Sequence, residues 1–198
     1  MLPRWSLPVY AGWLTEWLVL SIVIPMLIGL LSDTHVPDHA KGLPDRLREV
    51  FHGVDLILHA GDIYIPRVLN DLETIAPVKA AWGDDDLMSD LGTDPRMVKE
   101  RTLQLDGITL WLTHVRPPYS VLTPRETSSA VKLNYEGPKD LPNVVVYGHT
   151  HKSNMEYYND ILFVNPGSAT FPNYVAKPGS VALLTIDSGK AEARIIQL

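Results

Sequence analysis

The sequence predicts an α/β fold, a four-layer α/β/β/α sandwich of two mixed sheets, and three observations carry that expectation. Short apolar runs rich in Val, Ile and Leu recur along the chain, each bounded by turn residues. In the first half these runs alternate with helical patterns, the arrangement of parallel strands joined by crossover helices. In the second half they follow one another with little helix between them, so a second, strand-rich sheet is expected to pack on the first.

The first half reads βαβαβ. A strand at Met26–Leu31 precedes a helix at Leu43–Phe51, with Pro44 in its first turn, where a missing N–H costs little. A strand at Val54–His59, a helix at Pro66–Thr74 and a strand at Val78–Trp82 follow. Unbroken apolar strands of this kind suit a sheet covered on both faces. In the second half, Thr102–Leu105 and Ile108–Thr113 flank Asp106-Gly107, a two-residue hairpin signal. Further strands are expected at Val144–Tyr147, Ile161–Val164, Val181–Ile186 and Ala191–Ile196. Between Pro117 and Pro142 the chain is polar and Pro-interrupted, with a weak helical stretch near Ser128–Tyr135, and is expected to be flexible or to face substrate.

Composition narrows the chemistry. A chain of 198 residues, 45% of them hydrophobic, is a natural length for one compact domain. The net charge of −6 and the lack of a Lys/Arg cluster argue against stable nucleic-acid binding, while leaving a small phosphate ester as substrate. With no cysteine there is no disulfide framework and no thiolate metal site, which fits a cytoplasmic setting and leaves His and carboxylates to hold any metal. Nothing in the sequence opposes a homo-oligomer.

The N-terminus is treated apart. Trp17–Ser32 is an uncharged run, but Pro25 interrupts it, and about 20 apolar residues are needed to span a bilayer. Its second half leads straight into Ser32-Asp33-Thr34-His35, so cleavage after it would remove the first strand. The domain is therefore placed at residues 26–198, and residues 1–25 are read as an appendage. Either Met26 is the natural start, or the segment is an extension that packs as a helix or touches a membrane surface.

Metal-capable residues sit immediately after the apolar strands: Asp33 and His35, Asp62, Asp84, His114, then His149 and His151. The crevice beyond the carboxyl ends of strands is the usual ligand site of an open α/β sheet. Asp33-x-His35 and His149-x-His151 each place two ligands at i and i+2, which in an extended segment puts both on one side. Mixed imidazole and carboxylate donors suit Mn, Fe, Zn, Co or Ni, with Mn2+ preferred here, over Ca or Mg alone. Singly, Asp33 or Asp84 would read as a helix cap or turn residue. His59 reads as a structural histidine that orients a ligating group, and His39 and His52 as solvent-facing.

The motifs Ser32-Asp33-Thr34-His35, Ala60-Gly61-Asp62, Trp82-Gly83-Asp84-Asp85-Asp86, Leu112-Thr113-His114, Gly148-His149-Thr150-His151 and Asn165-Pro166-Gly167-Ser168 occur in that order. Together they resemble the calcineurin-like metallophosphoesterase superfamily, and within it the small phosphodiesterase branch that includes the retromer-subunit-like proteins. The resemblance runs from Met26 to the C-terminus. It implies that Asp33, His35, Asp62 and His151 hold one divalent metal ion and Asp62, Asp84, His114 and His149 a second, with Asp62 bridging. It further implies in-line attack on phosphorus by a hydroxide shared between two ions about 3.5–4 Å apart, so no Ser or Cys nucleophile is needed. Gly61, Gly83 and Gly148 would let the backbone turn at each strand end. The Asn-Pro-Gly-Ser segment would be a tight turn near the metals.

The departures from the family pattern matter equally. Asp84 stands where the resemblance implies Asn, which adds an anionic ligand and predicts tighter metal retention with weaker attraction for a phosphate anion. Asp85 stands where many members carry a leaving-group histidine, and a carboxylate is a poor general acid at neutral pH, so good leaving groups should be favoured. Arg116 replaces the second histidine of the branch's His-Gly-His motif, either as a planar phosphate clamp or as a solvated loop residue. The catalytic candidates are thus Asp62, Asp84, His114, Asp85 and Arg116. The alternative to a phosphodiesterase is a protein-binding scaffold of the retromer-subunit kind with an impaired site.

Overall fold

The computed structural model of the chain describes residues 24–86, 90–122, 138 and 140–198. The first sheet runs β11 (Lys190–Gln197), β10 (Ser180–Asp187), β1 (Met26–Leu31), β2 (Leu56–His59), β3 (Val78–Ala81), β4 (Met97–Val98). Strands β1 to β4 are parallel to one another, and β10 pairs antiparallel with both β1 and β11, which makes the sheet mixed. The second sheet runs β5 (Arg101–Leu105), β6 (Ile108–Leu112), β7 (Val144–Val146), β9 (Ile161–Asn165), β8 (Asn154–Tyr158). It too is mixed, with β6, β7 and β9 parallel at its centre and antiparallel strands on both flanks.

Side-chain alternation along each strand assigns the layers. On β1, Ile28 and Leu30 enter the core between the sheets with Leu58, Leu110, Val144, Val146, Leu162 and Leu184. Leu31 and, from β2, Ile57 point the other way, into a second core with Leu47 and Phe51 beside α1 (Arg46–Val50) and Val68, Leu69 and Leu72 on α2 (Pro66–Glu73). Gly29 lets the Phe51 ring pack close to the strand, since a Cβ would stand 3.0 Å from it. The outer face of the second sheet buries Trp111, Val145, Tyr147 and Phe163, with Leu122 from the 3-10 turn Tyr119–Leu122 over them. This is the two-sheet sandwich that the sequence predicts.

Details differ at the element ends. The helix expected at Leu43–Phe51 is confined to Arg46–Val50, because it starts tightly: Leu47 N–H donates to Pro44 O and Arg48 N–H to Asp45 O. Asp106 and Gly107 both have positive φ, 43° and 78°, as a two-residue hairpin loop requires. Two strands escape the sequence reading. The first, β4, has only two residues, and β8, Asn-Met-Glu-Tyr-Tyr, is an edge strand with no buried residue. The helix expected near Ser128–Tyr135 and residues 1–23 of the appendage lie outside the described residues. Met26–Leu31 is a strand paired on both edges, and among the described residues no helix is long and apolar enough to cross a membrane.

Candidate metal centre

Seven ligand candidates converge where the two sheets meet. Asp33 and His35 follow β1, Asp62 follows β2, Asp84 follows β3, His114 follows β6, and His149 and His151 follow β7. Ligand atoms of Asp33, His35, Asp62 and His151 lie within 4.8 Å of one another, as do those of Asp84, His114 and His149. Asp62 links the groups: its Oδ2 is 3.5 Å from His35 Nε2 and 3.3 Å from His114 Nε2. Asp84 Oδ1 lies 2.7 Å from His114 Nε2 and 3.1 Å from His149 Nδ1. The first group is buried, whereas Asp84 and His149 are exposed, so solvent reaches the centre from their side.

The paired ligands converge for a reason other than extended alternation. Asp33, His35, Asp62, His149 and His151 all have positive φ, between 42° and 69°. Left-handed conformations at non-glycine residues cost of order 1–3 kcal/mol each and persist only where the surroundings impose them. Hydrogen bonds between loops do so here. Asp33 N–H donates to Gly61 O, His35 N–H to Asp62 O, Gly148 N–H to His114 O, and His149 N–H to Asp33 Oδ1.

A set of supporting side chains completes the frame. The buried Asp86 carboxylate accepts the backbone N–H groups of Asp62, Ile63, Tyr64 and Gly83 at 2.7–2.9 Å, tying the β2 and β3 loops together. Asn165 Nδ2 donates to Gly148 O, Ser168 Oγ to Asp33 O, and Thr170 Oγ1 to Thr34 O. The Asn-Pro-Gly-Ser turn therefore lies beside the centre, as the resemblance implies, and braces both i, i+2 pairs. His59 is fully buried, accepts Gly61 N–H at Nδ1 and bonds Thr34 Oγ1 through Nε2, the structural role read from sequence. Burial pushes its imidazole down to about 3.

Glycine is needed at the strand ends for two distinct reasons. Gly61 has φ +93°, which a side chain would strain. Gly83 and Gly148 instead leave room: a Cβ on Gly83 would overlap the Asp62 carboxylate, and one on Gly148 would stand 2.8 Å from Asp33 Oδ2.

The donor set fits divalent cations. His114 Nδ1 donates to Ala60 O at 2.7 Å and His151 Nδ1 to Phe171 O at 2.9 Å, the outer hydrogen bonds that leave Nε2 turned inward on each ring. His35 Nε2 and His151 Nε2 face each other at 3.0 Å. Asp33 Oδ2 and His114 Nε2 are buried with no hydrogen-bond partner, although His114 Nε2 is within ion-pair distance of Asp62 and Asp84. Such an arrangement calls for a cation among the facing atoms. Without a metal a proton takes that part at His114: burial would depress its imidazole, but Asp62 and Asp33 hold it up at about 9. Burial raises the Asp33 carboxyl, against the pull of His114 and His151. Burial works in the same direction on Asp62, but there His114 prevails and holds the carboxyl low. Burial lowers His35 to about 4.

The two remaining candidates sit differently. Asp85 is next to the centre: its N–H donates to Asp62 Oδ1 and its carboxylate accepts the Tyr64 hydroxyl. Arg116 donates to Glu156 Oε1 at 2.6 Å, with its guanidinium 4.3 Å from the Tyr119 ring centroid and 4.7 Å from that of Phe163. These contacts hold it on the outer face of the second sheet, and it is not brought into either ligand group. His39 and His52 are exposed as expected, with His39 stacked on Phe171 at 3.8 Å.

Comparison with known proteins identifies the family. A model of the calcineurin-like phosphoesterase superfamily domain matches residues 26–189. A probable metallophosphoesterase from Methanothermobacter thermautotrophicus is 37% identical over 172 residues, 87% of this chain and 92% of its own length. A phosphodiesterase from Methanocaldococcus jannaschii is 28% identical over 184 residues, 87% of this chain and 99% of its own. The solved structure of an archaeal phosphodiesterase superposes with a TM-score of 0.61 at 27% identity, covering 87% of this chain and all of that one. Vacuolar protein sorting 29 from Cryptosporidium parvum has the same TM-score at 22% identity, covers 88% of this chain and 98% of that one, and shares the fold. On the family match over most of its length and the relative at 37% identity, the chain belongs to the calcineurin-like phosphoesterase superfamily.

Proposed function

We propose that this phosphoesterase hydrolyses small phosphodiesters with two divalent ions, manganese being favoured by the mixture of carboxylate and imidazole donors. The observation that carries the reading is Asp62, whose Oδ2 is approached by a histidine of each ligand group. Asp33, His35, Asp62 and His151 would hold one ion, and Asp62, Asp84, His114 and His149 the other. Such a pair, when bound, lowers the pKa of an attacking water and neutralises charge growing on the phosphoryl oxygens. The protein's own part is to fix the donors. Ala60 O and Phe171 O accept hydrogen bonds from Nδ1–H of His114 and His151, so both rings present Nε2 without rearrangement. Asp86 and the Asn165–Ser168 turn keep the loops in conformations that they would not hold alone. Substrate would approach past Asp84 and His149, the exposed side of the centre. The choice of a diester rests on the relatives named as phosphodiesterases. The complete set of seven ligand candidates favours an enzyme over a protein-binding scaffold of the same fold.

The test is to strip metal with a chelator, restore Mn, Ni, Co, Zn or Mg in turn, and assay bis-p-nitrophenyl phosphate beside the monoester. Metal-dependent turnover that prefers the diester and disappears in Asp62→Asn is expected. Turnover that survives Asp62→Asn, or that no metal restores, would refute the reading.

A further inference from the structure

His35 lacks the kind of support that His114 and His151 receive. Those two rings donate Nδ1–H to a backbone carbonyl, whereas His35 Nδ1 lies 2.7 Å from the hydroxyl of Tyr64. That hydroxyl donates in turn to Asp85 Oδ2 at 3.1 Å. The directions of these bonds are set by valence. A phenol carries one proton and a carboxylate only accepts, so the Tyr64 proton goes to Asp85 and the phenol oxygen accepts from Nδ1–H. The lone pair of His35 is thereby left on Nε2, the atom 3.5 Å from Asp62 Oδ2 and 3.0 Å from His151 Nε2.

Each member of the chain is held in place independently. Tyr64 has φ 79°, a backbone conformation imposed by its N–H bond to Asp86 Oδ1, and its ring meets His35 edge-on with centroids 4.9 Å apart. Asp85 is anchored through its N–H to Asp62 Oδ1, so one residue touches two ligands, one through its backbone and the other through Tyr64. The Asp85 carboxylate also lies 3.9 Å from His35 Nδ1, beyond a direct hydrogen bond, which makes the phenol the connecting link.

We propose that Tyr64 and Asp85 are a positioning pair that holds His35 in its metal-binding tautomer and orientation, with Asp85 acting through Tyr64. The carboxylate that replaces a leaving-group histidine by resemblance is thus assigned to the support of a ligand. The inference rests on the two-metal reading above, and the experiment is chosen to separate them. The full chain is stripped of metal and titrated with Mn2+ against a competing chelator, in the absence of substrate. The wild type is compared with Tyr64→Phe, Asp85→Ala, Asp85→Asn and the double variant Tyr64→Phe/Asp85→Ala.

Loss of an outer-shell partner weakens metal affinity by about 10–100-fold, and that is the loss expected for Tyr64→Phe in one of two binding events. Asp85→Ala should weaken the same event by a smaller factor, while Asp85→Asn, still able to accept the phenol proton, stays close to wild type. In the Tyr64→Phe background Asp85→Ala should have no further effect. Thermal unfolding of the metal-free Tyr64→Phe variant should match wild type, which separates positioning from a general loss of structure. Equal Mn2+ affinity in Tyr64→Phe and wild type, or the same loss from Asp85→Ala in both backgrounds, overturns the proposal alone. A wild-type chain that takes up no metal overturns this proposal and the two-metal reading together.

Discussion

Gly83 has no side chain because the carboxylate of Asp62 occupies the place where a Cβ would stand. The conflict is with a ligand and its own backbone N–H, neither of which can retreat: Asp62 N–H is bonded to Asp86, and Asp62 Oδ1 accepts Asp85 N–H. Gly83→Ala should therefore abolish metal uptake and destabilise the fold by about 1–3 kcal/mol, the usual scale of forced overpacking. Gly92→Ala is the control, since nothing lies within 4 Å of its added carbon. Metal analysis and urea midpoints of the two variants check the contrast, and equal midpoints would contradict it.

Asp84 brings a third carboxylate to the ligand set, and its Oδ1 touches His114 and His149 at once. Asp84→Asn removes one negative charge while keeping an oxygen donor. Metal affinity should fall, while turnover should rise and inorganic phosphate should inhibit severalfold more tightly, because a site carrying more positive charge attracts the anion better. Inhibition constants for phosphate at saturating metal measure this directly. An unchanged or weaker constant would go against it.

The buried His59 makes stability depend on pH. Its imidazole titrates near 6.5 in the unfolded chain and at about 3 in the fold. Between those values the unfolded state binds the extra proton, so acid favours unfolding. The contribution of this group is full above about 6.5 and is lost as pH drops toward 3, by about 1.4 kcal/mol per pH unit, whereas His114, held at about 9, acts in the opposite sense between 6.5 and 9. His35, lowered to about 4, adds to the slope over a narrower window. His59→Gln should be weaker at pH 7.5 but show an acid slope shallower by about one proton, measured by urea unfolding of metal-free protein at pH 7.5, 6 and 5.

What was legible in the sequence follows from what is local. Met26–Leu31 is a strand with the expected bounds because Pro25 and the polar motif from Ser32 delimit a short apolar run. Asp106-Gly107 declared its hairpin through its own backbone preference. The seven ligand candidates were legible because each directly follows a strand that could itself be recognised. By contrast, the bonds by which Asp86, Tyr64 and Asn165 brace Asp62, His35 and Gly148 were invisible, because those partners lie 17–29 positions away. The Arg116–Glu156 bond was hidden for the same reason, because Glu156 is 40 positions downstream. The left-handed backbone of the ligand pairs also left no signature, as Asp and His carry no mark of φ comparable to glycine's.

Each ligand group draws on both sheets: His151 closes a set otherwise supplied by β1 and β2, and Asp84 joins two histidines from β6 and β7. His35 and His151 are 116 positions apart. On the ribosome, the early aspartates and His35 emerge long before the histidines that complete their set. Neither set is whole until β7 and the residues after it have been made. A metal that requires a complete set would thus be bound by the nearly finished chain, after sheet docking, rather than by the nascent one.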